Sequence, residues 1–572
     1  MNILRWLEIY PNYEILPLAA LILAALLRKK PTPRTALSPF SRWFILIRRR
    51  PWISFLLTGL LAFAASALLI VFTGMPQPAV HDEFGYLLVA DTFAQGRLAN
   101  PPHPLWQHFE TFHVLQHPTY ASKYPPAQGV ALALGQVLTG YPIVGVWLSA
   151  GLACAAVCWM LAGWCPLRWS LLGGLLAVYR IVFSGPTHQM QPFPYWSQSY
   201  WGGAVAALGG ALIFGALPRI IKRQKPLDAL WLALGLAILA NSRPFEGLVA
   251  SIPVLLVLGI WLLRTRRVTW RVRCRRVVLP SVLFLMLAAS WMGLYNFRVT
   301  GDPFRLPYQA HESAYAIVPL FLWQPLKAEP PYHHEILRAF HRGAIGFFLS
   351  QQSLAGWVKS SIYYKLKNFW WFYFGLIFIP PMLFLAASRQ AWRRPRVIFP
   401  LAVCLLMLAA LLTNPYFFPH YAAPITCLAI LLQIESLRRL RRFTWRGRPM
   451  GRTFVNGVLP ALLASTIIAF PIYDKPSKWI LERARLLRKL EQSGEPHLVI
   501  VRYGPNHSLH HEWVYNRADL NRAKVIWARE MGVEADRELL DYFRDRRVWL
   551  LEADQRPPRL APYPGVSPKS DH

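Results

Sequence analysis

The stretch WISFLLTGLLAFAASALLIVFTGMPQPAVHDEFGYLLVADTFAQGRL, residues 52–98, decides how the chain reads. Its first part, residues 52–72, is an apolar run of about 20 residues, the length a helix needs to cross the hydrocarbon core of a bilayer. Two adjacent carboxylates, Asp82 and Glu83, follow that run. Behind them Phe84, Leu87, Leu88, Ala90, Phe93 and Ala94 fall mostly on one side at helical spacing. That pattern predicts a helix along the membrane surface with both carboxylates at its start. Acidic residues are scarce, 28 Asp and Glu against 62 Lys and Arg, so a paired acid at the mouth of a span is the first candidate for chemistry. The plainer alternative is that Asp82 caps the helix and Glu83 favours its dipole.

Working outward, 54% hydrophobic and 14% aromatic content with recurring apolar runs predicts a multi-spanning α-helical membrane protein. The formal charge of +34 does not point to nucleic acid, because the basic residues sit between the apolar runs. Six cysteines lie in or beside those runs and imply no disulfide framework.

Within residues 1–51, residues 15–27 are apolar but short of a perpendicular span, either a short extra span or an interfacial helix, and the basic stretch that follows, through Arg48–Arg50, reads as a cytoplasmic loop. Residues 52–72 then run outward. Apolar runs at 144–164, 169–183, 201–217, 227–239, 248–263, 277–295, 369–387, 397–412, 421–434 and 455–472 alternate in direction. Every basic cluster, including 264–276 and 438–452, falls on the same side of that alternation. The expectation is about eleven spans, twelve with 15–27, over residues 52–473, with long external loops at about 74–142 and 297–368. Residues 474–572 read differently. Strand-like 497–503, 524–528 and 547–551 around a helical 534–544 predict a small α/β domain outside the membrane, ending in a loose proline-rich tail from 556.

Candidate site residues come from the outer ends of the runs. Lys123, with Tyr124, Pro125 and Pro126, precedes a helix, and in the first loop only Arg97 and Lys123 are cationic. A lysine near a helix start is a natural phosphate ligand. Asn241, Arg243 and Glu246 sit between two apolar runs, where ionisable groups are paired or functional, and an Arg243–Glu246 structural pair is the competing reading. Asn414, His420 and Tyr421 lie at another outer edge. The histidines at 103, 108, 113 and 117, and His507, His510 and His511 with Glu512, lack the tight spacing of a zinc site. No metal ligand is assigned, and no Walker, Rossmann or triad pattern stands out.

Together, the first span, the acidic pair on a surface helix, the Lys and Pro-Pro element and the ten or more spans resemble the GT-C glycosyltransferases over residues 52–472. Within these the chain is most similar to glycosyltransferase family 39 and its relatives, the protein O-mannosyltransferases and the lipid A aminoarabinose transferase. In that family an Asp in the first external loop, often followed by Glu, is the catalytic base or binds the acceptor; Asp82 matches it, with Glu83 beside it. The family's Lys-Pro-Pro element matches Lys123, Pro125 and Pro126 with Tyr124 inserted, and His420 stands where arginine is more usual. The resemblance implies a sugar donor joined to a polyprenyl phosphate, an extracytoplasmic acceptor (protein, lipid or glycan) and inverting transfer in a bacterial inner membrane. Asp82 would be the base, with Lys123, Tyr124, Arg243, Glu246, His420 and Tyr421 binding substrate. It implies no organic cofactor and leaves a divalent cation open. The alternatives are a flippase for lipid-linked sugars, an oligosaccharide polymerase or ligase, and a non-catalytic scaffold.

Overall fold

The computed structural model describes residues 12–27, 49–185, 194–265, 268–473 and 477–564. The basic stretch expected at 28–48 and the tail beyond 564 lie outside the described residues. Among the described residues eight helices are long and apolar enough to cross a membrane: Trp52–Thr73, Ile143–Trp164, Gly203–Arg223, Pro244–Arg264, Trp270–Thr300, Pro395–Leu412, Pro419–Leu440 and Met450–Phe470. The chain is a polytopic α-helical membrane protein.

The remaining expected passages are either short of a full span or interrupted. Ile15–Leu27 and Pro226–Ala240 are helices of 13 and 15 residues, about 20 Å of rise. Leu167–Val178 continues into a wider turn, Tyr179–Phe183. Residues 369–387 are broken: Tyr364–Tyr373 and Ile379–Ala386 flank a turn with Gly375 at φ 68°. An apolar window measures composition, whereas Gly375 and the prolines at 380 and 381 decide continuity. The N–H groups freed by this break are not left bare. The Glu14 carboxylate accepts from Leu376 N at 2.5 Å and Ile377 N at 3.2 Å. The short helix Ile15–Leu27 packs on the last one, and a Cβ at Gly457 would lie 2.4 Å from Leu21 Cδ1.

Burial sorts centre from rim. The apolar windows of Gly203–Arg223 and Pro419–Leu440 are 83% and 94% buried, against 6% for Trp270–Thr300, so the first two form the centre and the last presents its sides to lipid. Small residues allow the close approach that drives helix association in lipid. At Gly210 an added Cβ would fall 1.8 Å from the Pro424 carbonyl oxygen.

The loops at one end of the bundle are ordered. The first carries the helix His81–Ala94, the antiparallel pair β1 (Val114–Leu115) and β2 (Ala121–Ser122), and the helix Pro126–Thr139. The second carries Pro307–Tyr315 and Glu335–Ser350. The C-terminal domain begins with Lys478–Gln492 and continues through β3 (His497–Arg502), β4 (Val525–Arg529), the helix Val533–Tyr542, β5 (Arg547–Glu552) and β6 (Arg559–Pro562). The order is β4-β3-β5-β6, with β3 parallel to both neighbours and β6 antiparallel to β5. β6 corrects the loose-tail expectation: prolines are tolerated on an edge strand, and Leu560 pairs with Leu551.

This domain shares its core with the first loop. Leu88, Phe109, Val114 and Tyr120 join Leu498, Ile500 and Ile526 in one apolar cluster. Phe84 stacks flat on Tyr515, ring centres 4.0 Å apart. Asp91 accepts from the Ala518 N–H at 2.8 Å.

Candidate active site

Helix ends, both long loops and the C-terminal domain enclose a cavity of about 1270 Å³. Its described charged residues are Asp82, Lys123, Arg243, Glu246 and Glu312, and His420 and Tyr421 also line it. The basic loops lie at the opposite helix ends.

Asp82 and Glu83 diverge although adjacent. The helix is capped from Val80, not from Asp82. Glu83, its third residue, reaches back so that Oε2 accepts from Ala79 N at 2.6 Å and Val80 N at 3.3 Å, while Oε1 accepts from Tyr200 N at 2.8 Å. It is 1% exposed and absent from the cavity wall, and burial pushes its carboxyl up to about 7. Glu83, grouped with Asp82 as a candidate for chemistry from the sequence, is placed as a brace between the surface helix and residue 200, a fixed acceptor for three N–H groups.

Asp82 opens into the cavity with its side chain 35% exposed. One oxygen accepts from the Tyr124 hydroxyl, and the other lies 4.0 Å from His113 Nε2. The residue inserted into the Lys-Pro-Pro element therefore holds the carboxylate. Tyr124 stacks on Tyr86, with ring centres 4.4 Å apart, and a Cβ at Gly85 would meet its ring at 3.0 Å. Burial holds the Tyr124 hydroxyl well above the usual range, so it remains a donor. His113 adopts φ 63°, and burial, then the Lys123 charge, keeps its imidazole neutral.

The two cations are held by rings. Lys123 Nζ sits 5.5 Å from the Tyr124 ring centre and 5.0 Å from that of Tyr308, with its backbone N–H on His113 O at 3.1 Å. Burial lowers its pKa, opposed by Glu312 and Asp82. Arg243, immediately before the helix Pro244–Arg264, lies 4.8 Å from the Tyr421 ring centre. Among the described residues neither cation is in salt-bridge contact with a carboxylate. Arg243 rests on the aromatic face, which orients its guanidinium, and feels the charge of Glu246 without touching it. His420 is buried, its Nδ1 2.5 Å from Tyr195 Oη. Asn414 offers its carbonyl to the buried Lys365, which also caps Leu411 O at 3.1 Å.

Sequence reasoning missed Tyr308 and Glu312, which sit in YQAHE at 308–312, an acidic and aromatic cluster in a loop otherwise left unparsed. It also missed His81, whose Nε2 donates to Leu509 O at 2.9 Å while Nδ1 accepts from Tyr515 Oη at 2.9 Å. Among the described residues no group of three or more His, Cys, Asp or Glu is placed to hold a metal ion. His108 is tied to Arg529 O, His117 packs edge-on to Trp106 and His507 bonds Asp554 at 2.6 Å.

No family model matches the sequence, and no curated protein matches it significantly. Some solved structures are similar to it at low identity. The Archaeoglobus fulgidus oligosaccharyltransferase, crystallised with Zn and sulfate, is 13% identical over 78% of this chain and 60% of that one, with a TM-score of 0.46. ArnT from Cupriavidus metallidurans in the apo state is 13% identical over 90% and 93%, with a TM-score of 0.43. The same protein bound to undecaprenyl phosphate is 13% identical over 89% of both chains, with a TM-score of 0.42. The chain spans about 60% of the archaeal protein's length and nearly all of ArnT's.

Proposed function

We propose that the chain is a GT-C-type glycosyltransferase that moves a sugar from a polyprenyl-phosphate donor to a hydroxyl acceptor on the extracytoplasmic side of a bacterial inner membrane. The observation that carries the reading is the pairing of a water-accessible, tyrosine-held carboxylate with two cations that rest on aromatic rings, free of direct salt-bridge contact, in one cavity at the membrane edge. A lipid phosphate needs cations at that depth, and its chain needs access from the bilayer.

In an inverting transfer Asp82 takes the acceptor proton as the acceptor oxygen bonds to the anomeric carbon. The bond from that carbon to the phosphate oxygen breaks, and its electron pair leaves with the phosphate. Lys123 and Arg243 offset the charge gained there, so no acid is needed. A flippase fits less well, because its ionisable groups would lie near mid-membrane on broken helices.

Asp82→Asn should lower transfer by about 100- to 10,000-fold with little change in folded yield, measured with extracted polyprenyl-phosphate sugars. Full activity in this variant, or equal transfer from a nucleotide sugar by the wild type, would overturn the reading. An impermeant thiol reagent should label a cysteine at Ser508 in intact cells; labelling only after lysis would reverse the orientation.

A further inference from the structure

Two basic clusters, at 389–396 and 438–442, are apart in sequence and meet in the fold. The helices Ile379–Ala386 and Pro395–Leu412 both pack on the buried helix that ends at Leu440, and the turn between them carries Trp392 and Arg394 to that end. Five guanidinium groups gather there, those of Arg394, Arg396, Arg438, Arg439 and Arg442. Arg439 donates from Nη1 to Ser388 Oγ at 2.7 Å, and Arg394, Arg396 and Arg442 lie within its electrostatic reach.

One buried carboxylate answers them. Glu435 Oε1 lies 3.2 Å from Arg396 Nε and 2.5 Å from Arg438 Nη1, so its charge is already shared by two arginines. Among the described residues no carboxylate is in salt-bridge contact with Arg394, Arg439 or Arg442. The basic stretch at 28–48 holds no Asp or Glu that would serve them. Orienting helices across a bilayer requires positive loops, and scattered exposed arginines would meet that need. Convergence asks for more, because neighbouring guanidinium groups repel and an anion that accepts from several at once relieves the repulsion.

The surface leading away from these arginines into the membrane is apolar. Counting from Arg394, Ile398 and then Leu405 recur at helical spacing along one face of Pro395–Leu412, and both are exposed. Leu383 is exposed on the neighbouring helix. Trp392, also exposed, is fixed by the bond from its indole N–H to Ala386 O at 2.9 Å and sits two residues from Arg394, where an interfacial tryptophan belongs. Cations at the polar end, an indole at the boundary and an apolar strip beyond it follow the parts of a phospholipid in order.

We infer that this face binds one anionic glycerophospholipid at the basic end of the bundle, its phosphate held by Arg394, Arg439 and Arg442 and its acyl chains lying along Leu383, Ile398 and Leu405. A zwitterionic headgroup brings its own cation to the arginines, whereas an anionic one adds the net charge that Glu435 does not supply. The site is at the opposite helix ends from the cavity and stands apart from the transfer reading.

Native mass spectrometry of the full-length protein in detergent tests it, with phosphatidylglycerol, phosphatidylethanolamine and inorganic phosphate as probes. One phosphatidylglycerol should bind at least tenfold more tightly than phosphatidylethanolamine. Arg394→Gln with Arg442→Gln, both at exposed positions, should weaken that binding by about 10- to 30-fold at an unchanged unfolding temperature. Adding Arg439→Gln should weaken it further; if the triple variant unfolds, the double variant carries the test. Arg271→Gln with Arg275→Gln, exposed in another basic loop, should bind as wild type does. Equal binding of the two lipids, wild-type binding by the double variant, or the same loss in the Arg271 and Arg275 variant would overturn the inference. Displacement of phosphatidylglycerol by an equal concentration of inorganic phosphate would also overturn it, since the site would then read a free anion and not a lipid.

Discussion

Substituting Glu83 separates the two neighbouring carboxylates most sharply. Its carboxyl is pushed from 4.5 up to about 7 by burial, against the three backbone N–H groups that favour the ionised form. A group that binds its proton more tightly folded than unfolded stabilises the fold fully below about 4.5, and that contribution is lost as pH rises through about 7. At about 1.36 kcal/mol per tenfold change in proton affinity, the offset amounts to about 3 kcal/mol. Glu83→Gln stays neutral at every pH, so relative to wild type it should gain about 3 kcal/mol between pH 4.5 and pH 8, on top of a pH-independent loss of about 1–3 kcal/mol because its amide nitrogen cannot accept from one side of the N–H set. Glu83→Ala should be less stable at every pH, since it orphans the N–H groups of Ala79, Val80 and Tyr200 at about 1–3 kcal/mol each. Histidines held neutral by burial, such as His81 and His341 at about 4, act in the opposite sense, losing stability as pH falls below about 6.5. They are common to both proteins, so the difference between variant and wild type isolates Glu83. The buried cysteines 154, 158, 404 and 427 make a thiol-reactive fluorogenic dye a ready reporter of unfolding. A difference that stays flat from pH 4.5 to 8, or a Glu83→Gln protein that has lost transfer while folded, would refute the reasoning.

Lys123→Ala should raise the donor concentration needed for half-maximal transfer by about 10- to 100-fold, the worth of a charge-assisted contact; an unchanged donor dependence would remove Lys123 from the phosphate site. Tyr124→Phe deletes the hydroxyl that holds Asp82 and should slow transfer by about 2- to 10-fold, with unchanged rates counting against a positioning role. Arg529 and Glu512, 2.5 Å apart and 3% and 0% exposed, form a buried pair, so Arg529→Met should destabilise the C-terminal domain by about 3–5 kcal/mol. The fluorescence of the neighbouring buried Trp513 and Trp527 would report this, and a loss under 1 kcal/mol would show the pair to be dispensable.

The C-terminal strands were legible because runs such as HLVIVR and RVWLLE are rich in β-branched and aromatic residues between polar breaks. Asp82, Lys123 and Arg243 were legible because charge is rare at the outer ends of apolar runs. The split between Asp82 and Glu83 was not, since neighbouring helical residues point about 100° apart and only docking against Tyr200 decides which one faces water. The Lys123 pocket was half visible for a similar reason: Tyr124 adjoins it in sequence, whereas Tyr308 arrives from a loop more than a hundred positions later. The break at 374–378 hid inside an apolar window, and β6 hid among prolines.

The clasp between Glu14 and the broken helix bears on how the protein is made. The carboxylate precedes the helix Ile15–Leu27, yet the N–H groups that receive it belong to Leu376 and Ile377, 362 and 363 positions further along. Until the ribosome has delivered that later segment, Ile15–Leu27 carries an acidic end without its counterpart, and Gly457, against which Leu21 seats, comes later still. Ile15–Leu27 is thus synthesised well before the segments it packs against and finds its place only once Met450–Tyr473 has arrived.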